Sequence, residues 1–327
     1  MREAVFLRQN EARWKQYETT AATGPDELAA RFVTLTDDLA YAQTFYPNSP
    51  TTRYLNDLTA KQHQAIYKNK SEHTSRFREF WAQELPLLVG RYHTPLAWSL
   101  LLFTVFTLLG ALSAAYDDTF VRVVLGDAYV NRTLENIEKG DPMAVYKGMS
   151  ETPMFLLITL NNIRVSLVTF ALGATLGLGT VWALFQNGVM LGSFQYFFYQ
   201  KGVLLPSLLT IWIHGTLEIS AIVLAGGAGF VMARGILFPG TYSRAEAFRQ
   251  TARDGLKLAI GLVPIFIVAG FLEGFVTRHT EMPVALSLTI IGTSAGFIVW
   301  YFILYPRYLT RRLPAAAAAP AAVLING

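Results

Sequence analysis

The sequence predicts an all-α fold: a polytopic membrane helix bundle of about six spans, with an N-terminal cytosolic helical domain. Of its 327 residues, 52% are hydrophobic and 15% are charged, whereas typical soluble domains carry about 25% charged residues. The charge is uneven, because residues 1–94 contain 12 Lys/Arg and 11 Asp/Glu while residues 165–233 contain one of each. An apolar run over 204–238 is longer than the roughly 20 residues that cross a bilayer.

The N-terminal 94 residues are predicted to form a small helical domain. Gly24-Pro25 opens one helix, and Ser49-Pro50 supplies an N-cap and an N1 proline for the next. In the first of these helices, apolar residues recur at helical spacing: Leu28, Phe32, Leu35 and Leu39. The stretch lacks the apolar core of a signal peptide, so we expect this domain to stay in the cytosol.

An aromatic stripe precedes the first predicted span and consists of Phe77, Phe80, Trp81 and Leu85. Such a stripe is typical of an amphipathic helix that lies on the membrane surface, here as the last helix of the N-terminal domain. A docking helix for a partner protein is the alternative interpretation.

Six apolar stretches are predicted to be spans, at residues 95–116, 165–186, 189–199, 207–238, 256–277 and 284–305. The second is expected to end at Asn187-Gly188, a common turn dipeptide. The third is short for a crossing, so tilted and re-entrant arrangements both stay open. The spans define a transmembrane domain at 95–309, which includes an extracytoplasmic segment at 117–153. Residues 310–327 are rich in alanine and proline, and we expect them to form a disordered tail.

Basic residues predict the orientation of the spans. Arginines cluster in the 234–254 connection and after the last span: Arg234, Arg244, Arg249, Arg253, Arg307, Arg311 and Arg312. The 117–153 stretch, in contrast, has seven acidic and four basic residues. Since Lys and Arg concentrate in cytoplasmic connections, we expect a multi-pass protein with both termini in the cytoplasm. The absence of cysteine fits a location in a bacterial inner (cytoplasmic) membrane.

Three ionisable side chains inside the predicted spans form the candidate site. His214 and Glu218 lie four residues apart and therefore share one helix face. Glu273, in the fifth span, is expected at a similar depth, so the three are predicted to form one polar cluster. Three asparagines are predicted neighbours: Asn161, Asn162 and Asn187. The cluster could fix helix register through hydrogen bonds, could handle protons or ions, or could be a catalytic or metal site.

Small residues at four-residue spacing predict close helix packing, because lipid provides little hydrophobic drive between helices. The residues in question are Gly173, Gly177, Ala221, Ala225, Gly229, Gly292 and Gly296. The middle stripe continues the face of His214 and Glu218, so that face is expected to point into the bundle.

The sequence excludes several classes of function. It has no cysteine, which rules out disulfides and thiolate chemistry. It contains no His-Glu-x-x-His, Gly-x-Ser-x-Gly or Walker-type motif, and no basic tract with interleaved aromatics that would favour nucleic acid. His214 and Glu218 supply two of the three protein ligands of a typical catalytic zinc. Glu273 could be a third, but nothing in the sequence requires it, so no metal, cofactor or enzymatic activity is predicted.

An ordered series of motifs resembles the stage II sporulation protein M family of bacterial membrane proteins over about residues 30–305. The motifs are Asn161-Asn162-Ile163-Arg164, Phe170-Ala171-Leu172-Gly173, Asn187-Gly188-Val189-Met190-Leu191-Gly192, His214-Gly215-Thr216-Leu217-Glu218-Ile219, Ala225-Gly226-Gly227-Ala228-Gly229, and Ala269-Gly270-Phe271-Leu272-Glu273-Gly274-Phe275 with Thr277. Trp14 and Asp37-Asp38-Leu39-Ala40 look like the longer, non-sporulating branch.

The resemblance implies a role at the cell envelope, because the sporulation member acts in membrane migration during engulfment alongside peptidoglycan-cutting partners. The family has no established catalytic residues to transfer. We therefore expect a non-enzymatic membrane scaffold or assembly partner, in contact with the lipid bilayer and with other membrane or cell-envelope proteins. A channel or transporter that uses the His/Glu cluster is the main alternative, and an intramembrane metal-dependent hydrolase is the second. Homo-oligomerisation stays open.

Overall fold

The computed structural model describes residues 2–20, 22, 24–67 and 73–312. These residues form helices joined by turns, and no strand occurs among them. They divide into two compact units, Met1–Ser75 and Arg76–Gly327. The predicted all-α class is confirmed. The predicted tail at 310–327 lies, from residue 313 onward, outside the described residues.

The first unit consists of α1 (Glu3–Thr19), α2 (Pro25–Phe45) and α3 (Pro50–Tyr67). Both helix starts that the prolines predict are found, because proline at N1 has the helical φ and lacks only an N–H that would have no partner there. At the start of α3, the Ser49 hydroxyl accepts a hydrogen bond from the Thr51 amide at 3.0 Å.

The core of this first unit is apolar and surrounds one tryptophan. Trp14 is 1% exposed and packs edge-on against Phe6, with ring centroids 5.4 Å apart. Its indole Nε1 donates to Asp38 Oδ2 at 2.7 Å, and Arg13 donates to the same oxygen at 2.6 Å. The remaining buried apolar side chains are Leu35, Ala42, Leu55 and Leu58. The indole N–H of Trp14 therefore has a hydrogen-bond acceptor inside the unit.

The aromatic stripe belongs to the second unit. It runs through α4 (His73–Glu79), a π-helical turn (Phe80–Glu84) and α5 (Leu85–Arg91). Phe80 and Trp81 pack against the core of that unit, while Phe77 is 68% exposed. The division between the units therefore lies between residues 75 and 76, whereas the sequence predicts it at residue 94.

Two tyrosines explain why this segment joins the second unit. The Tyr301 hydroxyl donates to the Trp81 carbonyl at 2.6 Å, and the Tyr305 hydroxyl donates to the Ala82 carbonyl at 2.9 Å. Lys257 also forms an ion pair with Glu84. A π-helical turn changes the backbone hydrogen-bond pattern, and here two of its carbonyls accept these hydroxyl protons.

Among the described residues of the second unit, five helices are long and apolar enough to cross a membrane. Three of them are α6 (His93–Tyr116), α9 together with a 3-10 extension (Glu151–Ala174), and α11 (Leu204–Leu237). The other two are composite helices, Arg244–Thr277 and Val284–Arg312, and each consists of two α-helical parts and one π-helical turn. Within the fourth of these, α12 is Arg244–Gly261, α13 is Val263–Phe271 and the π-helical turn is Leu272–Thr277. In the fifth, α14 is Val284–Val299, the π-helical turn is Trp300–Leu304 and α15 is Tyr305–Arg312.

The predicted boundary between the second and third spans is wrong. α9 (Glu151–Ala171) begins in the polar stretch, and the chain turns at residues 176–177, where Leu176 and Gly177 have φ of 58° and 85°. Asn187-Gly188 lies inside α10 (Leu178–Gln200), where Asn187 donates to the Ala183 carbonyl at 2.8 Å. The glycine at 177 makes the turn because it adopts left-handed φ without steric cost.

α10 is consequently a full helix of 23 residues rather than a short segment. It is not one of the five candidate spans above, because several amide side chains lower its hydropathy: Gln186, Asn187, Gln195 and Gln200. At about 1.5 Å per residue it is roughly 34 Å long, which matches the thickness of a hydrocarbon core.

α11 lies at the centre of the second unit and contacts α6, α9, α10, α12, α13 and α14. Ala221 and Ala225 are fully buried on it. A Cβ atom at Gly173 would lie 2.2 Å from the Gly229 carbonyl oxygen, so the two backbones meet directly. Gly292 and Gly296 do not follow the prediction: both face open space, because α14 contacts its neighbours through the buried Ser287 and Ser294.

Residues 117–150 cover one end of this bundle. They form α7 (Asp118–Leu125), α8 (Asp127–Glu138) and a 3-10 turn (Ala144–Lys147). Their apolar side chains pack with residues of α10 and α11 in a second core: Val121, Val130, Met143, Phe197, Phe198 and Ile211. The polar segment predicted from the sequence is therefore a folded cap, and it brings the 3-10 turn close to His214.

Candidate intramembrane polar site

The three predicted ionisable residues come together in the structure. His214 and Glu218 lie one turn apart on α11, and Glu273 lies in the π-helical turn Leu272–Thr277. One potential ligand atom from each residue can be chosen so that all three atoms lie within 4.8 Å of one another. The site therefore joins the central helix to the helix that ends at Thr277.

Each nitrogen of the His214 ring has a polar neighbour, and one of the two is hydrogen-bonded. His214 is 4% exposed. Its Nδ1 lies 3.0 Å from the Thr277 hydroxyl, and its Nε2 lies 3.7 Å from Glu273 Oε2. Because a ring nitrogen bonded to a fixed partner orients the imidazole, Thr277 holds the ring with Nε2 towards the carboxyls.

The π-helical turn carries two of the groups that make the site, Glu273 and Thr277. Glycines on either side of Glu273 allow α9 to approach closely: a Cβ atom at Gly270 would lie 2.1 Å from the Thr159 hydroxyl, and one at Gly274 would lie 3.1 Å from the Glu151 carbonyl. π-helical turns are rare and occur frequently at functional sites. Here the turn and the glycines place Glu273 against both α9 and α11.

One of the three predicted asparagines reaches the cluster. Asn162 is 5% exposed and interacts with Glu218. Its Nδ2 has no hydrogen-bond partner among the described residues, so the interaction falls outside ordinary hydrogen-bond geometry. Asn161 is exposed and donates only to Asn162 Oδ1, at 3.5 Å. Asn187 bonds within its own helix.

The polar face of α9 extends beyond Asn162. Thr159, Ser166 and Thr169 are also buried, at helical spacing around Asn162. The hydroxyl oxygens of Thr159 and Ser166 have no hydrogen-bond partner in the described part of the chain. The spacing of three, four and three residues is a sequence signal that could have identified this inward face.

Tyr146 completes the site from the cap, and sequence reasoning missed it. Its ring centroid lies 5.8 Å from that of His214. Burial raises the pKa of the Tyr146 hydroxyl well above its usual value, and the carboxyls of Glu273 and Glu218 act in the same direction, with Tyr129. The hydroxyl is thus a neutral hydrogen-bond donor beside the cluster. No spacing rule links a residue of a 3-10 turn to a histidine 68 positions later.

A cavity of about 580 Å³ lies next to the cluster, between the 140–147 turn and the 277–284 connection. The cavity wall includes Ile213, which precedes His214 in the sequence, and Thr277, whose hydroxyl is hydrogen-bonded to the His214 ring. The wall also carries the charged groups of Asp141, Lys147 and Glu281. The cavity thus reaches Thr277, the hydrogen-bond partner of His214.

Comparison with known protein families agrees with the motif series. The family model described as stage II sporulation protein M matches residues 99–278, more than half of the chain. The chain belongs to the stage II sporulation protein M family. The matched region includes the whole of the polar site, from Tyr146 to Thr277. Together with the five apolar helices, membership of the stage II sporulation protein M family identifies an integral membrane protein.

A second family model, described as a domain of unknown function (DUF8413), matches residues 4–68. These residues fall within the first compact unit. A search of curated proteins and a search of solved structures each found no match to this chain.

Proposed function

We propose that this protein is a non-enzymatic scaffold or assembly partner of the bacterial inner membrane that acts in cell-envelope or peptidoglycan processes. The observation that carries the proposal is the division of the chain into a polar helical unit with its own core and an apolar membrane bundle. Such a pairing supplies a docking unit tethered to the bilayer. The family name, which refers to a stage of sporulation, supports a setting at the cell envelope.

Charge and helix count support an orientation with both termini in the cytoplasm. Counting α10, six helices in the described part of the second unit are long enough to cross, and an even number of crossings returns the chain to the side where it started. Arginine is found at the connection between α11 and α12 and in the last turn of α15, while Asp117, Asp118 and Asp127 lie at the opposite end of the bundle. This distribution follows the positive-inside rule.

The scaffold role is tested by comparing the full chain with a variant that lacks residues 1–75. Both are cross-linked in native membranes and purified, and their partners are identified. We expect cell-envelope proteins to co-purify with the full chain and to be lost from the shortened one, while both stay in the membrane fraction in similar amounts. Recovery of the same partners with both proteins would contradict a docking role for the first unit.

The orientation is tested with single cysteines, which are unambiguous because the chain has none. Tyr242 and Glu281 are exposed in connections at opposite ends of the bundle. We expect Glu281→Cys to react with an impermeant reagent in spheroplasts, and Tyr242→Cys to react only after permeabilisation. Labelling of Tyr242→Cys in sealed spheroplasts would rule out the proposed topology.

Ion or proton handling is a second candidate function, favoured by the cavity beside the His/Glu cluster. Glu218→Gln distinguishes it from a purely structural role, because the amide keeps the shape of the side chain and removes its charge. A scaffold tolerates this variant if the fold survives. A folded Glu218→Gln protein that lacks cellular activity and loses ion flux in proteoliposomes would favour transport instead.

A further inference from the structure

The geometry points to a site for a divalent transition-metal cation, which we propose is bound by His214, Glu218 and Glu273. The class of ion is that of Zn²⁺, since one imidazole and two carboxylates suit zinc and its first-row neighbours. This inference is independent of the scaffold role: the ion would connect α11 to the π-helical turn Leu272–Thr277 whatever the protein assembles with.

The distances fit such a site with small side-chain adjustments. Ligands about 2 Å from a tetrahedral zinc lie about 3.3 Å from one another. His214 Nε2 and Glu273 Oε2 are already 3.7 Å apart, and all three ligand atoms lie within 4.8 Å. Rotation of two carboxylate groups covers the remaining difference, and no backbone movement is needed.

The two carboxyls of the cluster, which have no basic side chain as a partner among the described residues, favour a bound cation. Glu218 and Glu273 lie close together inside a membrane bundle, where an unpaired charge is costly. Arginine and lysine do not pair with either carboxyl in the described part of the chain, and nearby Arg278 is engaged by Glu151 at 3.2 Å. A dication would neutralise both carboxylates, leaving a site with no net charge beside a neutral imidazole.

Independent support comes from Asn162, which lies on a different helix. Its side chain is buried and lies near Glu218, and its Nδ2 has no hydrogen-bond partner in the described part of the chain. Ligating carboxylates are commonly held by a hydrogen bond to their second oxygen, and Asn162 Nδ2 is the group suited to give one. Bound metal would draw Glu218 into a fixed position in which this bond can form.

His214 is already oriented as a ligand. Metal-bound histidines usually hold their other ring nitrogen in a hydrogen bond, and Nδ1 of His214 is held in this way by the Thr277 hydroxyl at 3.0 Å. When Nδ1–H donates to Thr277, the lone pair of Nε2 is directed towards the carboxyls. The cavity that reaches Thr277 supplies a route by which the ion and a coordinating water arrive.

The test uses the full chain, purified in detergent without a polyhistidine tag, stripped with a chelator and titrated with Zn²⁺. We expect close to one tightly bound Zn²⁺ per chain by elemental analysis, with a rise in thermal unfolding temperature on binding. Co²⁺ in place of Zn²⁺ should give visible absorption bands. Mg²⁺ at the same concentration should produce neither effect.

Variants identify the site. Glu273→Gln and His214→Gln should each weaken Zn²⁺ binding at least 100-fold, and Asn162→Ala should weaken it about 10- to 100-fold, as expected for a partner of a ligand. Glu281→Gln is the matched control, because it removes a carboxyl from the cavity wall outside the cluster. Zinc binding lost in Glu281→Gln and kept in Glu273→Gln would overturn the proposal.

The wild-type protein alone also decides the matter if the variants do not fold. Stripped wild-type protein that takes up less than about a tenth of an equivalent of Zn²⁺, with an unchanged unfolding temperature, would overturn the proposal. Uptake near one equivalent with Co²⁺ bands typical of nitrogen and oxygen ligands would support it.

Discussion

The two compact units differ in where their large apolar side chains lie. In the first unit the interior holds large apolar residues such as Phe6, Trp14 and Leu35. In the second unit, large apolar residues lie outside as well as inside: they are exposed on α6 and α14, while the buried face of α11 combines side chains such as Leu217 and Val231 with small and polar residues. Of the most apolar stretch of each helix, 61% is buried in the protein for α11 but only 17% for α6 and for the helix that begins at Val284.

The difference follows from the solvent of each unit. In water, removing apolar surface contributes about 25 cal/mol per Å², so large apolar side chains move inward. Lipid is as apolar as leucine, so burying leucine there gains little. Close backbone contact and the sequestering of polar groups decide the interior instead. This bundle shows an example of each: the backbone contact between Gly173 and Gly229, and the polar cluster around His214.

The largest predicted effect tests whether apolar burial stabilises the first unit. Trp14→Ala should destabilise residues 3–67 by about 3–5 kcal/mol, as typical for truncation of a buried tryptophan. It also leaves Asp38 without the indole donor. Hydrogen exchange of the full chain, followed by mass spectrometry, measures the change as faster exchange confined to α1, α2 and α3.

Trp98→Ala is the control, because Trp98 is 56% exposed on α6, on a surface that lipid covers. It should leave the exchange of α6 nearly unchanged. An equal loss of protection in the two variants would break the contrast between the units.

The next prediction concerns close packing in the membrane bundle. Gly173→Leu should destabilise the second unit by about 3 kcal/mol or more, since its side chain would enter the Gly229 backbone and force α9 from α11. Gly292→Leu should have little effect, because that glycine faces open space. The midpoints of thermal unfolding in detergent compare the two, and a larger shift for Gly292→Leu would mean that α14 packs through its small-residue face.

The smallest predicted effect lies where the bundle meets water. The Tyr92 hydroxyl donates to Asp254 Oδ2 at 2.7 Å, and Tyr92→Phe should cost about 1.5–3 kcal/mol, as for hydrogen bonds to charged groups. Burial, together with this bond to Asp254, raises the pKa of Tyr92 to about 12 from an ordinary value near 10.

The raised pKa gives this contribution a defined pH dependence. A group whose pKa is higher in the folded state stabilises the protein fully below pH 10 and loses that stabilisation as pH rises to about 12. The wild-type protein should therefore lose its advantage over Tyr92→Phe between pH 10 and 12 in denaturation measured at several pH values. A constant difference across that range would show that folding does not raise the pKa of Tyr92.

The sequence identified some elements of the membrane unit and misplaced others. α11 was predictable because its apolar run is long and its histidine and glutamate share a face. The turn at 176–177 was not, since Gly173 and Gly177 have the spacing of packing glycines on one helix, whereas Gly177 adopts a left-handed φ of 85° that ends the helix. Asn187-Gly188 was misleading because an asparagine inside a membrane helix can bond to its own helix.

The sequence by itself determined the helical class, the starts of α2 and α3, the separation of a charged unit from an apolar one, and the three ionisable residues of the site. Each of these depends on local periodicity, on proline, or on the cost of charge in hydrocarbon. Only the tertiary structure decided which of the three predicted asparagines reaches the site, that Thr277 and Tyr146 join it, and that Gly292 and Gly296 do not pack. Lipid solvates every apolar helix face about equally, so the faces that meet are selected by shape in three dimensions, which the spacing of residues along one helix does not encode.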